Sequence, residues 1–162
     1  MDSKFLIRQM LPSDAGRLKE ITSLSFSRFM GFFAIHSLFS DQGQVLVAEA
    51  EGKVAGFAKL IEFQVGNEKF GCILWIAVHP DLRRKGVASA LMVEGIRLLK
   101  SAGAKSIFAS AQRRNTPALN VLTWNGFRRV GFLQLRRLFS WRVFQFYSDI
   151  WLAPGEIVLM HE

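Results

Sequence analysis

The run FGCILWIAV, from Phe70 to Val78, constrains the fold most because it is apolar at nearly every position. A strand with one face in water alternates apolar and polar residues, whereas a strand covered on both faces is apolar throughout. The run is also far too short to cross a bilayer as a helix. It therefore predicts a central strand with other elements packed on both sides of its sheet.

The sequence on both sides of this strand predicts one mixed α/β domain that covers residues 1–162. Ser13 or Asp14 is a plausible N-cap for the first helix. Antiparallel hairpins come first, and a strand–helix–strand crossover follows. We expect strands at 5–8, 45–50, 54–63, 70–78 and 105–111, and helices at about 14–23, 28–39, 87–101 and 115–124.

The segment 133–155 is rich in large apolar side chains, and its periodicity does not separate helix from strand. Phe139, Val143, Phe146 and Ile150 fit helical spacing, whereas Trp141, Val143 and Gln145 fit strand alternation. We interpret the segment as a final hairpin that packs on the core. Two other interpretations stay open: a homodimer interface, or a less favoured contact with nucleic acid or a membrane surface.

The charge of the chain is unevenly placed. The net charge is +8, yet residues 1–81 carry 8 Lys/Arg against 9 Asp/Glu, and residues 82–162 carry 13 against 4. A basic half indicates either an anionic partner or a solvated basic surface. The single cysteine, Cys72, excludes an internal disulfide, and the start MDSKF does not resemble a signal peptide. We therefore expect a cytoplasmic protein.

The stretch HPDLRRKGVASALM, residues 79–92, places three cations and a glycine immediately before a predicted helix. The first turn of a helix presents free backbone N–H groups, and the helix dipole adds partial positive charge there. Gly86 and Ala88 lack bulk, so phosphate oxygens can approach the backbone closely. The alternative is a surface turn with a basic rim, and short turns of this kind are common.

The wider context favours the anion site. The segment VHPDLRRKGVA resembles the coenzyme A signature of the Gcn5-related N-acetyltransferase superfamily, and NTPALNVLTWNGF resembles a second motif of that family. The opening LIRQMLPSD and the closing EIVLMHE also look like the family's first and last strands. The resemblance implies a GNAT-type fold, with a central mixed sheet of about seven strands flanked by about four helices.

By this resemblance the chain is an N-acetyltransferase that moves an acetyl group from acetyl-coenzyme A to a primary amine by direct attack. Backbone N–H groups of residues 84–89 would hold the pyrophosphate, and residues 76–78 would pair with the pantetheine arm as an added strand does. No metal is implied. The implied cofactor-binding residues are Ile76, Ala77, Val78, Arg83, Arg84, Lys85, Gly86, Val87, Ala88, Ser89, Asn115 and Ala118.

The catalytic groups are less clear, because the sequence departs from the family pattern twice. Residues 70–78 contain no carboxylate, and Leu122 stands where many relatives carry a tyrosine. Glu62 and His79 are candidate bases, with Glu68 in the turn as another, and Tyr147 is a candidate acid. These departures leave an alternative function, an acyl-coenzyme A-binding sensor or scaffold with little turnover.

The apolar helix predicted at 28–39 offers a wall for the acceptor. Phe29, Phe32 and Phe33 would line the acceptor site and suit an acceptor with an apolar portion. Core packing explains the same residues equally well. The acceptor itself is not identified by any motif in the sequence.

Overall fold

Seven strands form one sheet in the structure, a computed structural model that describes residues 4–162. They are β1 (Leu6–Gln9), β2 (Gln44–Ala50), β3 (Lys53–Val65), β4 (Glu68–Val78), β5 (Ile107–Gln112), β6 (Arg128–Val130) and β7 (Glu156–His161). Their order in the sheet is β1-β2-β3-β4-β5-β7-β6. The apolar strand β4 is therefore the central one, as its uninterrupted hydrophobicity predicted.

The helices are α1 (Ala15–Ser25), α2 (Arg28–Leu38), α3 (Val87–Ser101), α4 (Thr116–Trp124), α5 (Phe132–Phe139) and α6 (Val143–Asp149). β4 pairs with β5 in parallel, and α3 supplies the crossover that a parallel pair requires. The pairs β1–β2, β2–β3, β5–β7 and β6–β7 are antiparallel. The predicted mixed α/β class is confirmed. None of the helices within residues 4–162 is long and apolar enough to cross a membrane.

The segment 133–155 forms two helices, so the expectation of a final hairpin is wrong. Phe139, Val143, Phe146 and Ile150 are all at most 5% exposed, whereas Trp141 is 75% exposed. The set with helical spacing is thus the buried set. The four helices expected from the sequence are present, and α5 and α6 are added to them.

A polar cluster fixes the entry to α1. The residues Pro12–Asp14 form a short 3-10 turn, and the Asp14 carboxylate accepts a hydrogen bond from the Leu11 N–H at 2.8 Å. The Arg8 guanidinium contacts the same carboxylate at 2.7 Å and holds its pKa below the usual range. Asp14 is therefore the N-cap residue of α1 by position, as predicted, but its side chain caps the preceding turn and not α1.

The chain divides into two compact units. The first contains the residues up to Ile61 together with Trp75–Gly95, and the second contains Glu62–Leu74 together with Ile96–Glu162. In the first unit, Leu18 and Ile21 of α1 pack with Val47 of β2 and Phe57 of β3, and all four are fully buried. This cluster joins the α1 helix to the sheet within that unit.

The core of the second unit is a cluster of phenylalanine rings. Phe146 of α6 lies 4.7 Å from Phe108 of β5 and 4.7 Å from Phe139 of α5, measured between ring centroids. It also lies 5.9 Å from Phe63 of β3. Edge and offset arrangements at such distances add to the free energy gained from burying the rings. Phe146 thus connects both helices of the 133–155 segment to the strands of this unit.

We predict that Phe146→Ala lowers the free energy of unfolding by about 3–5 kcal/mol, because it removes a fully buried ring and leaves a cavity. Phe144 lies on the same helix but is 72% exposed, so Phe144→Ala should change the free energy by less than about 0.5 kcal/mol. Urea unfolding of both variants measures the two values. Equal effects of the two substitutions would contradict this description of the core.

Candidate functional site

The end of β4 leads directly into a short turn in the first unit. The N–H of His79 donates to the carbonyl of Ala55 at 2.8 Å, so strand pairing continues one residue past Val78. The 3-10 turn Pro80–Leu82 follows, and the His79 Nδ1 accepts a hydrogen bond from the Asp81 N–H at 3.3 Å. His79 therefore caps this turn with its side chain and closes the strand with its backbone.

Arg83 ties the turn to two other elements of the first unit. Its Nε donates to the carbonyl of Val78 at 3.0 Å, and its Nη2 donates to the Ser25 hydroxyl at 3.1 Å. Ser25 is the last residue of α1, so one guanidinium links the end of β4, the turn and the end of α1. The sequence predicts Arg83 as a cofactor-binding residue, and nothing local in the sequence signals its contact with Ser25.

The loop before α3 is built from residues with left-handed backbone. Arg84 has φ +60° and Gly86 has φ +91°, and the carbonyl of Gly86 accepts the hydrogen bond of the Ala90 N–H at 3.0 Å. Left-handed residues of this kind are typical of the concave anion-binding nests that successive backbone N–H groups form. The space beside Gly86 is open, because a Cβ built there would meet its nearest atom, in Phe5, only at 4.0 Å.

This loop has the chemistry that a diphosphate requires. The first N–H groups of an α-helix have no acceptor within the helix itself, and Arg84 and Lys85, just before α3, are both exposed. Ala88, the second residue of α3, adds little bulk next to them. The backbone, the helix dipole and two cations thus combine at one place.

The other predicted cofactor contacts, Asn115 and Ala118, lie in the second unit. The Asn115 Oδ1 accepts a hydrogen bond from the Ala118 N–H at 3.3 Å and so caps the start of α4. A side-chain cap of this kind satisfies one of the free N–H groups of the first turn. The cap engages the Asn115 oxygen and leaves its amide nitrogen as a hydrogen-bond donor.

Two of the carboxylates considered as bases form ion pairs in the second unit. The Glu62 Oε2 lies 3.2 Å from the Lys69 Nζ, and Glu68 contacts Lys105. Both carboxylates are well exposed to solvent. Each is therefore a surface ion pair, and water screens it strongly.

His79 and Tyr147 differ from those carboxylates in their surroundings. The His79 Nε2 lies 3.8 Å from the Glu20 carboxylate, and the ring is mostly buried. Its Nδ1 accepts from a backbone N–H, so the neutral ring carries its proton on Nε2, toward Glu20. Tyr147, in the second unit, stacks on Phe132, and partial burial raises its pKa.

Aromatic side chains cover the end of α1 and the start of α2. Phe29 and Phe32 are 72% and 68% exposed, and each lies in edge contact with Phe33. Phe26 makes a similar contact with Trp75 of β4, whose indole nitrogen is buried without a hydrogen-bond partner in the described chain. Core packing therefore does not explain Phe29 and Phe32, which present an apolar surface.

Comparisons with known proteins agree with this arrangement. The model of the Acetyltransferase (GNAT) family matches residues 15–127. An N-alpha-acetyltransferase from Sulfurisphaera tokodaii is 26% identical over 141 residues, which are 81% of this chain and 84% of that protein.

Solved structures show the same fold. The PaiA N-acetyltransferase from Thermoplasma acidophilum in complex with coenzyme A superposes with a TM-score of 0.72, at 15% identity, and 99% of each chain is covered. The ribosomal-protein-S18-alanine N-acetyltransferase from Escherichia coli gives 0.69 at 18% identity, with 97% of this chain and 92% of that chain covered. The family match spans more than half of the sequence and includes the loop before α3. The chain therefore belongs to the GNAT acetyltransferase family.

Proposed function

We propose that the chain transfers the acetyl group of acetyl-coenzyme A to a primary amine by direct attack. The observation that carries the proposal is the loop at 83–88, where a buried strand, two left-handed residues and a helix start converge. This is an anion site of the kind that binds a diphosphate. Acetyl-coenzyme A supplies the activated thioester, and the protein supplies the binding and the orientation.

In this proposal the whole chain, residues 1–162, acts as one acetyltransferase domain. Backbone N–H groups of residues 84–89 hold the pyrophosphate, with Arg84 and Lys85 adding charge. The backbone of Ile76–Val78 binds the pantetheine arm as an added strand. Asn115 and Ala118 contribute from the start of α4, where the amide nitrogen of Asn115 remains a donor.

The proposed basicity of the acceptor follows from the lack of a carboxylate in residues 70–78 of β4. A lysine-type amine has a pKa of about 10.4 and is almost wholly protonated at pH 7, whereas an α-amine, with a pKa of about 8, is roughly one tenth neutral. Residues 70–78 offer no carboxylate that could remove a proton. A site without a strong base suits an α-amine, and the Sulfurisphaera tokodaii relative carries the name N-alpha-acetyltransferase.

Three side chains stay candidates for the proton transfers. His79 lies beside the loop and faces Glu20, so it can pass a proton toward that carboxylate. Glu62 would first have to separate from Lys69. Tyr147 is the proposed acid for the leaving thiol, although burial raises its pKa and weakens it in that role. Phe29, Phe32 and Phe33 provide the apolar wall for the acceptor.

The second candidate function is a sensor that binds acyl-coenzyme A with little turnover. The engagement of Glu62 with Lys69 and of His79 Nδ1 with Asp81 favours it, since neither group stands ready as a base. A homodimer through residues 133–155 stays a prediction, and the exposed Trp141 and Phe144 are the residues it would bury.

We predict that Ala88→Asp weakens acetyl-coenzyme A binding at least about tenfold, because a carboxylate would stand beside the pyrophosphate. The same change should preserve or slightly raise the free energy of unfolding, by about 0.3–1 kcal/mol, since an acid near a helix N-terminus is favourable. Isothermal calorimetry and urea unfolding measure the two effects. Gly16→Asp adds the same charge at the second residue of α1 and should leave binding unchanged.

An unchanged affinity in Ala88→Asp would place the pyrophosphate elsewhere. If Gly16→Asp weakened binding as strongly, the effect would be one of overall charge and not of this loop. The two outcomes separate a specific site from general electrostatic attraction.

We predict that a peptide with a free α-amine is acetylated at least about tenfold more efficiently than an N-terminally blocked peptide with one lysine. The kcat/KM for the α-amine should rise with pH, reach half of its maximum near pH 8 and level off about one pH unit higher, because only the neutral amine attacks. Release of coenzyme A thiol measures both. Preference for lysine would contradict the proposed acceptor class, and binding without turnover on either peptide would support the sensor.

A further inference from the structure

A lysine is buried in the middle of β3, in the first unit. Lys59 is 1% exposed and lies opposite Val45 of β2 in the strand pairing. Its Nζ donates to the carbonyl of Ser40 at 3.4 Å, which is the only hydrogen bond of this ammonium within residues 4–162. An ammonium has three N–H donors, and burying a charge without a partner is costly. Core packing does not explain this residue.

No described carboxylate pairs with the Lys59 side chain. Burial lowers the pKa of Lys59, and the charge of the exposed Asp41 only partly opposes that effect. The residue forms no ion pair with any described carboxylate within 4.0 Å. The Lys59 nitrogen therefore keeps N–H donors for an anion that enters its site, and such an anion would favour the charged form.

A cavity of about 350 Å³ opens beside this lysine. That volume falls within the range of small-molecule sites. Its walls come from four parts of the first unit: the end of β1, the end of α2, the start of β2 and the middle of β3. The lining residues that could contact a ligand through their side chains include Gln9, Met10, Leu38, Gln44, Val45 and Lys59.

The backbone of one wall is held in place by Gly43. This residue has φ +72°, and a Cβ built there would lie 2.0 Å from the carbonyl oxygen of Leu60. Only glycine allows the loop before β2 to lie directly against β3 next to Lys59. The Met10 N–H donates to the Val45 carbonyl at 2.9 Å and closes the neighbouring wall. The cavity is thus framed by fixed backbone.

The chemistry of the lining defines its ligand. Lys59 supplies the nitrogen donors, and the Gln9 Nε2 donates to the Gln44 Oε1 at 3.1 Å, which leaves the Gln44 Nε2 as a further donor. Met10, Leu38 and Val45 supply an apolar wall. We propose that this cavity binds a small carboxylate with a short apolar chain, its carboxylate paired with Lys59 and its chain against these three residues.

The proposal is tested with butyrate, by following the Lys59 side-chain signal of the full chain labelled with 13C-lysine. We expect a saturable shift with a dissociation constant of about 1 mM or tighter, and a higher Tm in butyrate. Butyramide has the same shape without the charge and should give no saturable shift. Absence of a saturable shift with butyrate, or an equal response to butyramide, would overturn the proposal.

The variant Lys59→Met separates a binding role from a structural one. It should abolish the butyrate-induced rise in Tm and, without ligand, unfold at the same or a higher temperature, because it removes a buried charge. Lys53→Met, at the exposed start of the same strand, should keep the butyrate response. If Lys59→Met retains the butyrate-induced rise in Tm, butyrate does not bind through Lys59 and the proposal is overturned.

A second variant covers the case in which Lys59→Met fails to fold. Lys59→Gln keeps a hydrogen-bond donor for the Ser40 carbonyl and should fold, yet lose the butyrate response. A normal butyrate response in Lys59→Gln would contradict the ion pair. These measurements need neither acetyl-coenzyme A nor an amine, so their failure and the failure of the proposed transferase activity are distinguishable.

Discussion

The two hydrogen bonds of the Arg83 guanidinium connect the elements that surround the proposed binding site for acetyl-coenzyme A. They join the last residue of β4 to the last residue of α1, with the turn between them. Charged donors on fixed acceptors make stronger hydrogen bonds than neutral groups do. The bonds anchor the start of the loop at 83–88, in which Arg84 and Gly86 have the left-handed backbone that is typical of anion-binding loops. A preformed site binds without an ordering cost.

This arrangement gives the basic second half of the sequence a partial explanation. Arg84 and Lys85 stand exposed at the loop, where a polyanionic cofactor would draw on their charge. Arg83 differs from them in that its guanidinium also donates to the Val78 carbonyl and the Ser25 hydroxyl, and its contact with the cofactor stays a prediction. In the 133–155 segment, Arg136 and Arg137 are exposed, whereas Arg142 is half-buried and lies 5.4 Å from the centroid of the Trp141 ring.

The sequence predicted most of the fold because burial left a clear pattern. The uninterrupted apolar run of β4 marked the central strand, and the spacing of residues 87–101 marked α3. The prediction of a hairpin at 133–155 was wrong because apolar residues with helical spacing and with strand spacing overlap there. Periodicity does not tell which of the two sets is buried. Phe146 is buried and Trp141 is exposed, which only the packing of the rings reveals.

Less of the candidate site could be predicted from the sequence, because several of its contacts join residues far apart in the chain. The loop was found because its cation–glycine–helix pattern is local. The bond from Arg83 to Ser25 joins residues 58 positions apart, and no local signal marks it. Lys59 had a visible signal, a lysine inside the apolar strand VAGFAKLIEF, but its cavity required the loop of Gly43 and the end of α2.

The most direct test of the central claim is a titration of the 15N-labelled chain with coenzyme A, followed through its backbone amide signals. If the loop before α3 holds the pyrophosphate, the amide protons of residues 84–89 should move downfield together and saturate, since each becomes a donor to a charged oxygen. Saturable binding that leaves these signals unmoved would contradict the account.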